Sequence, residues 1–225
     1  MNTIKYLDWG KMDYGQAWEK QQKIFDAQIV HKANKTTTEN HLIFVEHPHV
    51  YTLGKSGDNQ NLLISDEILK KINATYYKVD RGGDITYHGP GQIVGYPIFD
   101  LEVMHVTYKG YIEKLETAIL KYLKECHQLD VFQLDSATGV WIKTKNGPEK
   151  ICAIGTKASR YITMHGFALN INTDLSYFEY INPCGFKDKG VTSLEKLKGT
   201  KCDFELEKKN LTNYIMREFE GQIDS

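Results

Sequence analysis

Cys184 stands between Pro183 and Gly185, in a stretch of the sequence without helical or strand periodicity. Structural cysteines are usually buried inside periodic segments, as we expect Cys126 and Cys152 to be. A turn instead leaves the sulfur accessible, and an accessible thiolate is a strong nucleophile. The Pro-Cys-Gly turn therefore makes Cys184 a candidate for covalent chemistry.

A glycine-rich segment, residues 81–92, could form a ligand-binding loop. Its four glycines let the backbone approach a ligand closely, and its polar side chains include Arg81, Tyr87, His88 and Gln92. It is not a phosphate loop of the GxxxxGK[ST] kind, because no Lys-Ser or Lys-Thr pair follows the glycines. The same composition also suits a pair of tight turns between strands, so residue types alone leave both interpretations open.

Residues 150–155 and 165–170 are strand candidates that combine polar side chains with glycines. A lysine such as Lys150 at the start of a strand is usually a solvated charge, and an isolated histidine such as His165 usually satisfies a hydrogen bond. Glycines within strands also suit β-bulges. These residue types do not by themselves distinguish a site from an ordinary sheet.

The elements that must position these segments follow from hydrophobic spacing. Apolar residues at helical intervals predict helices over residues 14–32, 68–72, 108–126 and 204–219. Short apolar runs bounded by turn residues predict strands over 42–45, 76–79, 85–87, 93–99, 139–143, 150–155 and 161–171. The turn Lys145-Asn146-Gly147 predicts a hairpin between two of these strands. The pattern indicates an α+β fold, one domain over residues 1–225, with a largely antiparallel mixed sheet flanked by helices.

The composition is that of an ordinary globular protein and excludes several classes of function. The 225 residues are enough for one sizeable core. With 28 basic and 29 acidic residues the net charge is -1, which gives no overall field for nucleic acid or anionic membrane. No stretch approaches the ~18 apolar residues of a membrane span, and the first residues lack the apolar run of a signal peptide. We expect no nucleic-acid or membrane partner.

The four cysteines lie far apart and form no CxxC pair. This spacing predicts neither a metal site nor a disulfide framework. We therefore expect reduced thiols in a cytoplasmic protein. Cys202, in a polar Lys-Cys-Asp stretch, is expected to be incidental.

Four segments, taken together and in order, carry a family resemblance: RGGDITYHGPGQIVGYPIFDL, KICAIG, HGFALN and NPCG. They resemble the lipoate-biosynthesis octanoyltransferases, or lipoyl(octanoyl) transferases, from about Leu42 to Leu194. That family belongs with the biotin and lipoate protein ligases in fold. The resemblance implies the single biotin/lipoate-protein-ligase-like domain that the element pattern also favours.

The resemblance also implies roles for particular residues. Cys184 occupies the position of the family's acyl-thioester cysteine, and Lys150 that of its catalytic lysine. Asp84 stands where relatives often carry Gln or Lys, and Lys157 does not match the catalytic lysine. The positions that match the family's substrate-binding stretches are Arg81, Gly82, Gly83, Asp84, Ile85, Thr86, Tyr87, His88, Ala153, Ile154, Gly155, Gly166, Phe167 and Ala168.

The activity that the resemblance implies is transfer of an octanoyl, or lipoyl, group from acyl carrier protein to a protein lysine. The acceptors would be lipoyl domains of 2-oxoacid dehydrogenase E2 subunits and the glycine-cleavage H protein. No metal or other cofactor is expected, because the donor thioester on the phosphopantetheine arm is already activated. A local basic patch should meet the acidic partners. An apolar slot should take the octanoyl tail, with Ile85, Tyr87 and Phe167 as candidate contacts.

Three alternatives stay open at the level of sequence. An ATP-dependent lipoate–protein ligase shares the fold but typically carries a double arginine before its glycines, where this chain has Asp80 and Arg81. An octanoyl amidotransferase, which moves the acyl group between lipoyl-carrying proteins, shares the fold and also uses a cysteine. A non-catalytic acyl-binding module is the third. ATP dependence and the choice of donor distinguish them.

Overall fold

The computed structural model describes residues 2–135, 137–145, 147–182 and 190–224. The helices are α1 (Tyr14–Ala33), α2 (Asp66–Lys71), α3 (Tyr108–His127), α4 (Leu194–Lys198) and α5 (Phe204–Glu218). The strands are β1 (Asn2–Lys11), β2 (Asn40–Glu46), β3 (Val50–Leu53), β4 (Thr75–Lys78), β5 (Ile85–His88), β6 (Gln92–Ile98), β7 (Val131–Leu134), β8 (Ala137–Thr144), β9 (Gly147–Ser159), β10 (Ile162–Asn170), β11 (Gly190–Val191) and β12 (Gly221–Asp224). Short 3-10 helices cover Asn59–Asn61 and Leu175–Tyr180.

The three long helices begin at side-chain caps that the sequence provides. The Asp13 carboxylate accepts a hydrogen bond from the Gln16 amide at the start of α1, and the Thr107 hydroxyl accepts one from the Gly110 amide at the start of α3. Asp203 caps α5 in the same way. Each cap satisfies amides that have no partner within the helix. The helices predicted over residues 14–32, 108–126 and 204–219 are confirmed.

Within the described residues, nine strands form one sheet in the order β12-β1-β2-β6-β10-β9-β8-β7, and β11 lies beside β9. β1 runs parallel to β2 and β12, and β11 runs parallel to β9, while the other neighbours are antiparallel. The predicted largely antiparallel mixed sheet is confirmed. The hairpin predicted between β8 and β9 is confirmed by the pairing of Thr144 with Gly147, and Asn146 lies outside the described residues.

Both faces of this sheet are covered by helices. Along β2, Leu42 and Phe44 join the core under α3 and α5, whereas Ile43 and Val45 join the core under α1. Such a continuous apolar run is expected of a strand that is buried on both sides. The sheet is therefore the middle layer between α1 on one face and α3 with α5 on the other.

A smaller sheet in the order β4-β3-β5 stands apart from the main one. Tyr51, Leu53, Ile85 and Tyr87 form its buried apolar cluster. The main chain then turns from β5 directly into β6 of the large sheet, so the glycine-rich segment 81–92 spans the junction of the two sheets.

Gly166 of β10 lies against the backbone of β6 so closely that a side chain has no room. A Cβ atom at Gly166 would lie 2.0 Å from the carbonyl oxygen of Gly95 and 2.7 Å from Cδ of Pro97. We expect Gly166→Ala to lower the free energy of unfolding by about 3 kcal/mol, because the contact is with backbone. Urea unfolding measures it. Gly110→Ala, whose Cβ meets no atom nearer than 3.2 Å, is the control; equal losses in both variants would contradict the prediction.

Candidate active site

A cavity of about 450 Å³ opens where the small sheet meets the large one. This volume is in the range of small-molecule sites. Polar groups of Arg81, His88, Gln92 and Asn170 line part of the wall. Apolar side chains line the rest, including those of Ile85, Val94, Ile112, Trp141, Ile154 and Phe167. Such a cavity can hold an apolar chain while presenting hydrogen-bonding groups to a polar end.

The structure brings the predicted lysine and nearly all of the predicted substrate-binding residues together around this cavity. Lys150 lines it from β9. The predicted substrate-binding residues that line it are Arg81, Gly82, Gly83, Asp84, Ile85, Thr86, His88, Ala153, Ile154, Gly155, Gly166, Phe167 and Ala168. Segments far apart in sequence thus meet at one place, which the sequence pattern alone did not establish.

Tyr87 is the exception, since it is not among the residues that line the cavity. Its side chain is fully buried in the core of the small sheet, with its ring packed against those of Tyr51 and Tyr177. Its hydroxyl lies 2.8 Å from Nδ1 of His49. Its neighbours Thr86 and His88 do line the cavity, and they lie on the opposite face of β5 from Tyr87 because side chains alternate along a strand. Tyr87 therefore packs behind the cavity wall, in the core of the small sheet.

Lys150 is half-buried at the point where β9 pairs with β8 on one side and β11 on the other. Its Nζ lies 4.6 Å from the centroid of the Trp141 ring, a cation–π contact. Trp141 is directly opposite Lys150 in the β8–β9 register. The ammonium group is thus held at the wall of the cavity by packing on a buried indole.

Asp80, just before the glycine-rich segment, fastens that segment to the large sheet. Its carboxylate accepts a hydrogen bond from Nε2 of His165 at 2.8 Å and pairs with the ammonium of Lys157. The hydrogen bond from His165, followed by that from Lys157, holds the pKa of Asp80 far below its usual value although partial burial opposes this. Lys157 therefore helps to hold the loop that carries Arg81 in place. This agrees with its mismatch to the position of the family's catalytic lysine.

A buried chain of side-chain hydrogen bonds crosses the site from β5 to the strand beside Lys150. Nδ1 of His88 lies 2.9 Å from Oε1 of Gln92, and Nε2 of Gln92 donates to Oδ1 of Asn170 at 2.9 Å. Nδ2 of Asn170 donates to the carbonyl of Thr192 at 3.0 Å, and the Thr192 amide donates to the carbonyl of Lys150. Satisfied polar networks of this kind fix the relative positions of the elements they join.

Cys184 lies outside the described residues, but the chain on both sides of residues 183–189 is anchored beside the cavity. On one side, the Asn182 amide donates to the carbonyl of Asn61, whose side-chain amide donates to Asp84 at 2.7 Å. On the other side, Gly190 lines the cavity and Val191 pairs with Lys150.

Two histidines of this region are buried in the neutral form, and this predicts acid sensitivity. Burial lowers the pKa of His47 to about 4 and that of His88 to about 3. The unfolded chain, with histidine pKa near 6.5, binds more protons below that pH, so stability falls as the pH decreases from about 6.5 towards the folded values. Between pH 6.5 and 5 we expect each ring to cost about 2 kcal/mol of unfolding free energy.

Urea unfolding at pH 7 and pH 5 checks this expectation. The loss between the two pH values should be smaller in His47→Gln than in the native chain, because one titrating ring is gone. A control in the exposed His105→Gln should keep the full loss. An equal loss in all three proteins would contradict the assignment to buried rings.

Several residues that build the site were not identified from the sequence. Tyr14 stacks on His88 at a centroid distance of 6.0 Å, and the Tyr108 hydroxyl lies 2.7 Å from Oγ1 of Thr156. Trp141 is another, and Asn170, although it ends the HGFALN segment, was not assigned to the site. Tyr14 and Tyr108 occupy helical positions that are typical of core contacts, so their types give no signal of a site. Asn170 is a polar residue at the end of an apolar strand, which could have drawn attention to it.

Within the described ranges 2–135, 137–145, 147–182 and 190–224, no three His, Cys, Asp or Glu side chains are arranged to hold a metal ion. Over the same ranges no helix combines the length and the apolarity that crossing a membrane requires.

The fold is similar to that of solved lipoate–protein ligases. A bipartite lipoate protein ligase from Thermoplasma acidophilum superposes with a TM-score of 0.73 at 11% identity, covering 100% of this chain and 87% of that one. Lipoate-protein ligase A bound with ATP superposes with a TM-score of 0.69 at 13% identity, with 100% and 87% covered. The predicted fold is confirmed by these likenesses.

The sequence matches the lipoyl protein ligase A/B catalytic domain over residues 13–216, and the chain belongs to that family. Within it, proteins called octanoyltransferase are about half identical to this chain. That of Parabacteroides distasonis is 50% identical over 97% of this chain and 100% of its own length. That of Cytophaga hutchinsonii is 46% identical over 100% and 97%. The family resemblance of the four segments is confirmed.

Proposed function

We propose that the chain is an acyltransferase that moves an octanoyl group from acyl carrier protein to a lysine of a lipoyl-carrying protein, through a thioester on Cys184. Relatives that are about half identical over nearly the whole chain are octanoyltransferases, which supports the acyl group and the reaction class. The observation that carries the proposal is the position of Lys150. It lines a partly apolar cavity together with segments 81–86, 153–155 and 166–168.

The first half-reaction transfers the acyl group to the protein. The Cys184 thiolate attacks the carbonyl carbon of the octanoyl thioester, and the bond from that carbon to the phosphopantetheine sulfur breaks. The Lys150 ammonium gives its proton to the departing sulfur, which leaves a thioester on Cys184 and a neutral Lys150 amine. A lysine cation about 4 Å from the thiol would favour the thiolate by up to about 4 kcal/mol, less the cost of desolvation.

The second half-reaction transfers the acyl group to the acceptor. The amine of the acceptor lysine attacks the thioester carbonyl, and the Cys184 thiolate leaves as the amide forms. The neutral Lys150 amine takes the proton that the attacking nitrogen loses, which restores the starting ammonium and thiolate. Backbone amides near Gly155 and Gly166, which face each other across β9 and β10, are the groups we assign to the oxyanion.

The proposed reaction needs no ATP, metal or resident cofactor, because the donor thioester supplies the activation. We assign octanoyl acyl carrier protein as donor, and lipoyl domains of 2-oxoacid dehydrogenase E2 subunits and the glycine-cleavage H protein as acceptors. The reaction depends on reduced thiols, which suits the cytoplasm. Cys126, Cys152 and Cys202 are free thiols in the described part of the chain.

Donor competition tests the proposal. The purified protein is mixed with an apo lipoyl domain and, in separate reactions, with octanoyl acyl carrier protein, octanoylated H protein, or free octanoate with ATP. We expect octanoylation of the lipoyl domain, read by intact mass, with the carrier-protein donor and without ATP. Turnover only with octanoate and ATP would make the chain a ligase. Preference for octanoylated H protein would make it an amidotransferase, and no transfer with any donor would leave a binding module.

A further inference from the structure

Glu116 is a buried carboxylate that the proposed reaction does not use. It lies in the middle of α3 and the residue is only 9% exposed, although the solvated surface of the same helix carries Glu113 one turn earlier. Its Oε1 accepts a hydrogen bond of 2.7 Å from the backbone amide of Gly139 in β8. A charged side chain at such a position is costly unless a partner nearby compensates it.

Gly139 connects this carboxylate to Lys150. Its φ of +124° suits glycine alone, and a Cβ there would lie 2.4 Å from the Cys152 carbonyl and 3.4 Å from Cε of Lys150. The backbone of Gly139 therefore lies against the end of the lysine side chain. The register between β8 and β9 shifts between Val140 and Trp141, so β8 is irregular beside Lys150.

The charges around Glu116 and Lys150 also indicate that the carboxylate interacts with the lysine. Burial raises the pKa of Glu116, and a smaller increase comes from Glu113 on its own helix, while the Gly139 amide and Lys150 lower it. The Cys152 thiol also lies near Lys150, but burial raises its pKa to values at which it carries no charge at neutral pH. Glu116, unlike Cys152, can therefore supply a negative charge near the lysine.

We infer that Glu116 is a positioning residue for Lys150: its carboxylate holds the Gly139 backbone against the lysine side chain and supplies the negative charge that faces it. The importance of this contact for turnover rests on the proposed role of Lys150. An ammonium that must begin the reaction protonated is favoured by a nearby carboxylate, and its stem is held between Gly139 and the Trp141 ring.

The test measures the pKa of Lys150 without any substrate. Each lysine is acetylated by a trace of acetic anhydride across a range of pH, and peptide mass spectrometry gives the extent of labelling at Lys150. Glu116→Gln keeps an oxygen for the Gly139 amide but removes the charge, and we expect it to lower the pKa of Lys150 by about one unit. Glu113→Gln removes a charge from the exposed face of the same helix and should leave that pKa unchanged.

An unchanged Lys150 pKa in Glu116→Gln would overturn the inference, and so would an equal shift in Glu113→Gln. Glu116→Gln preserves the hydrogen bond from the Gly139 amide. The inference can therefore be tested with this variant even if Glu116→Ala fails to fold. The pH profile of acyl transfer is the second measurement, and we expect its limbs to move towards lower pH in Glu116→Gln. The labelling result stands independently of turnover, whereas full transfer by a Lys150→Met variant would refute the proposed function and leave the labelling result intact.

Discussion

Replacement of Cys184 with alanine is expected to abolish octanoyl transfer, with a loss of at least about a thousandfold in rate. Without the sulfur the acyl group has no covalent site on the protein between the donor and the acceptor. The mass increase of one octanoyl group, which the native protein should show after incubation with octanoyl carrier protein alone, should also disappear. Intact-mass analysis and a lipoyl-domain transfer assay measure the two effects.

The matched control is Cys126→Ala. Cys126 was expected to be a buried structural cysteine, but this prediction is wrong, since its thiol is exposed near the end of α3, away from the cavity. It should retain both the adduct and the activity. An octanoyl adduct of undiminished yield on the Cys184→Ala protein would show that another group is the nucleophile. A Cys126→Ala protein without adduct would have the same consequence.

Lys150→Met is expected to reduce transfer by about a hundredfold to ten-thousandfold, the usual contribution of a positioned acid and base. Methionine keeps an unbranched apolar stem beside Gly139 and the Trp141 ring, so the fold should persist while the proton donor and acceptor is lost. Single-turnover assays of each half-reaction measure the loss. Both halves should slow, because the same amine gives a proton in the first and takes one in the second.

Lys143→Met on β8 is the control, since Lys143 is exposed. It should transfer at the native rate, which would show that loss of a lysine from this sheet is harmless by itself. A Lys150→Met protein that retains more than a tenth of the native rate in both half-reactions would contradict the assigned role.

The sequence predicted the long helices because their apolar spacing and their caps are local properties. It also predicted the lysine and most of the cavity wall, since family motifs mark positions that fold together. Tyr87, predicted as a substrate-binding residue, is not among the residues that line the cavity, because its motif contains residues of both faces of β5. Alternation along the strand directs Tyr87 into the core of the small sheet and His88 into the cavity.

Other features were not predicted because they depend on distant partners. β1 and β12 pair in parallel at one end of the sheet, although the sequence of each is only weakly apolar. Their pairing joins residues more than two hundred positions apart. In the sequence Glu116 is one of many glutamates in helices, and only the packing of α3 against β8 distinguishes it. Its hydrogen bond from the Gly139 amide lies where β8 is irregular, which no local pattern specifies.

The parallel pairing of β11 with β9 has a consequence for synthesis on the ribosome. Lys150 is translated about forty residues before Val191, yet the neighbour that covers its strand on one side arrives only with Val191. The Thr192 carbonyl, which ends the polar chain from His88, arrives one residue later. A nascent chain therefore exposes an incomplete cavity until late in elongation. Contacts between residues so far apart in sequence also form slowly. The cavity is thus completed only in the last stages of synthesis and folding.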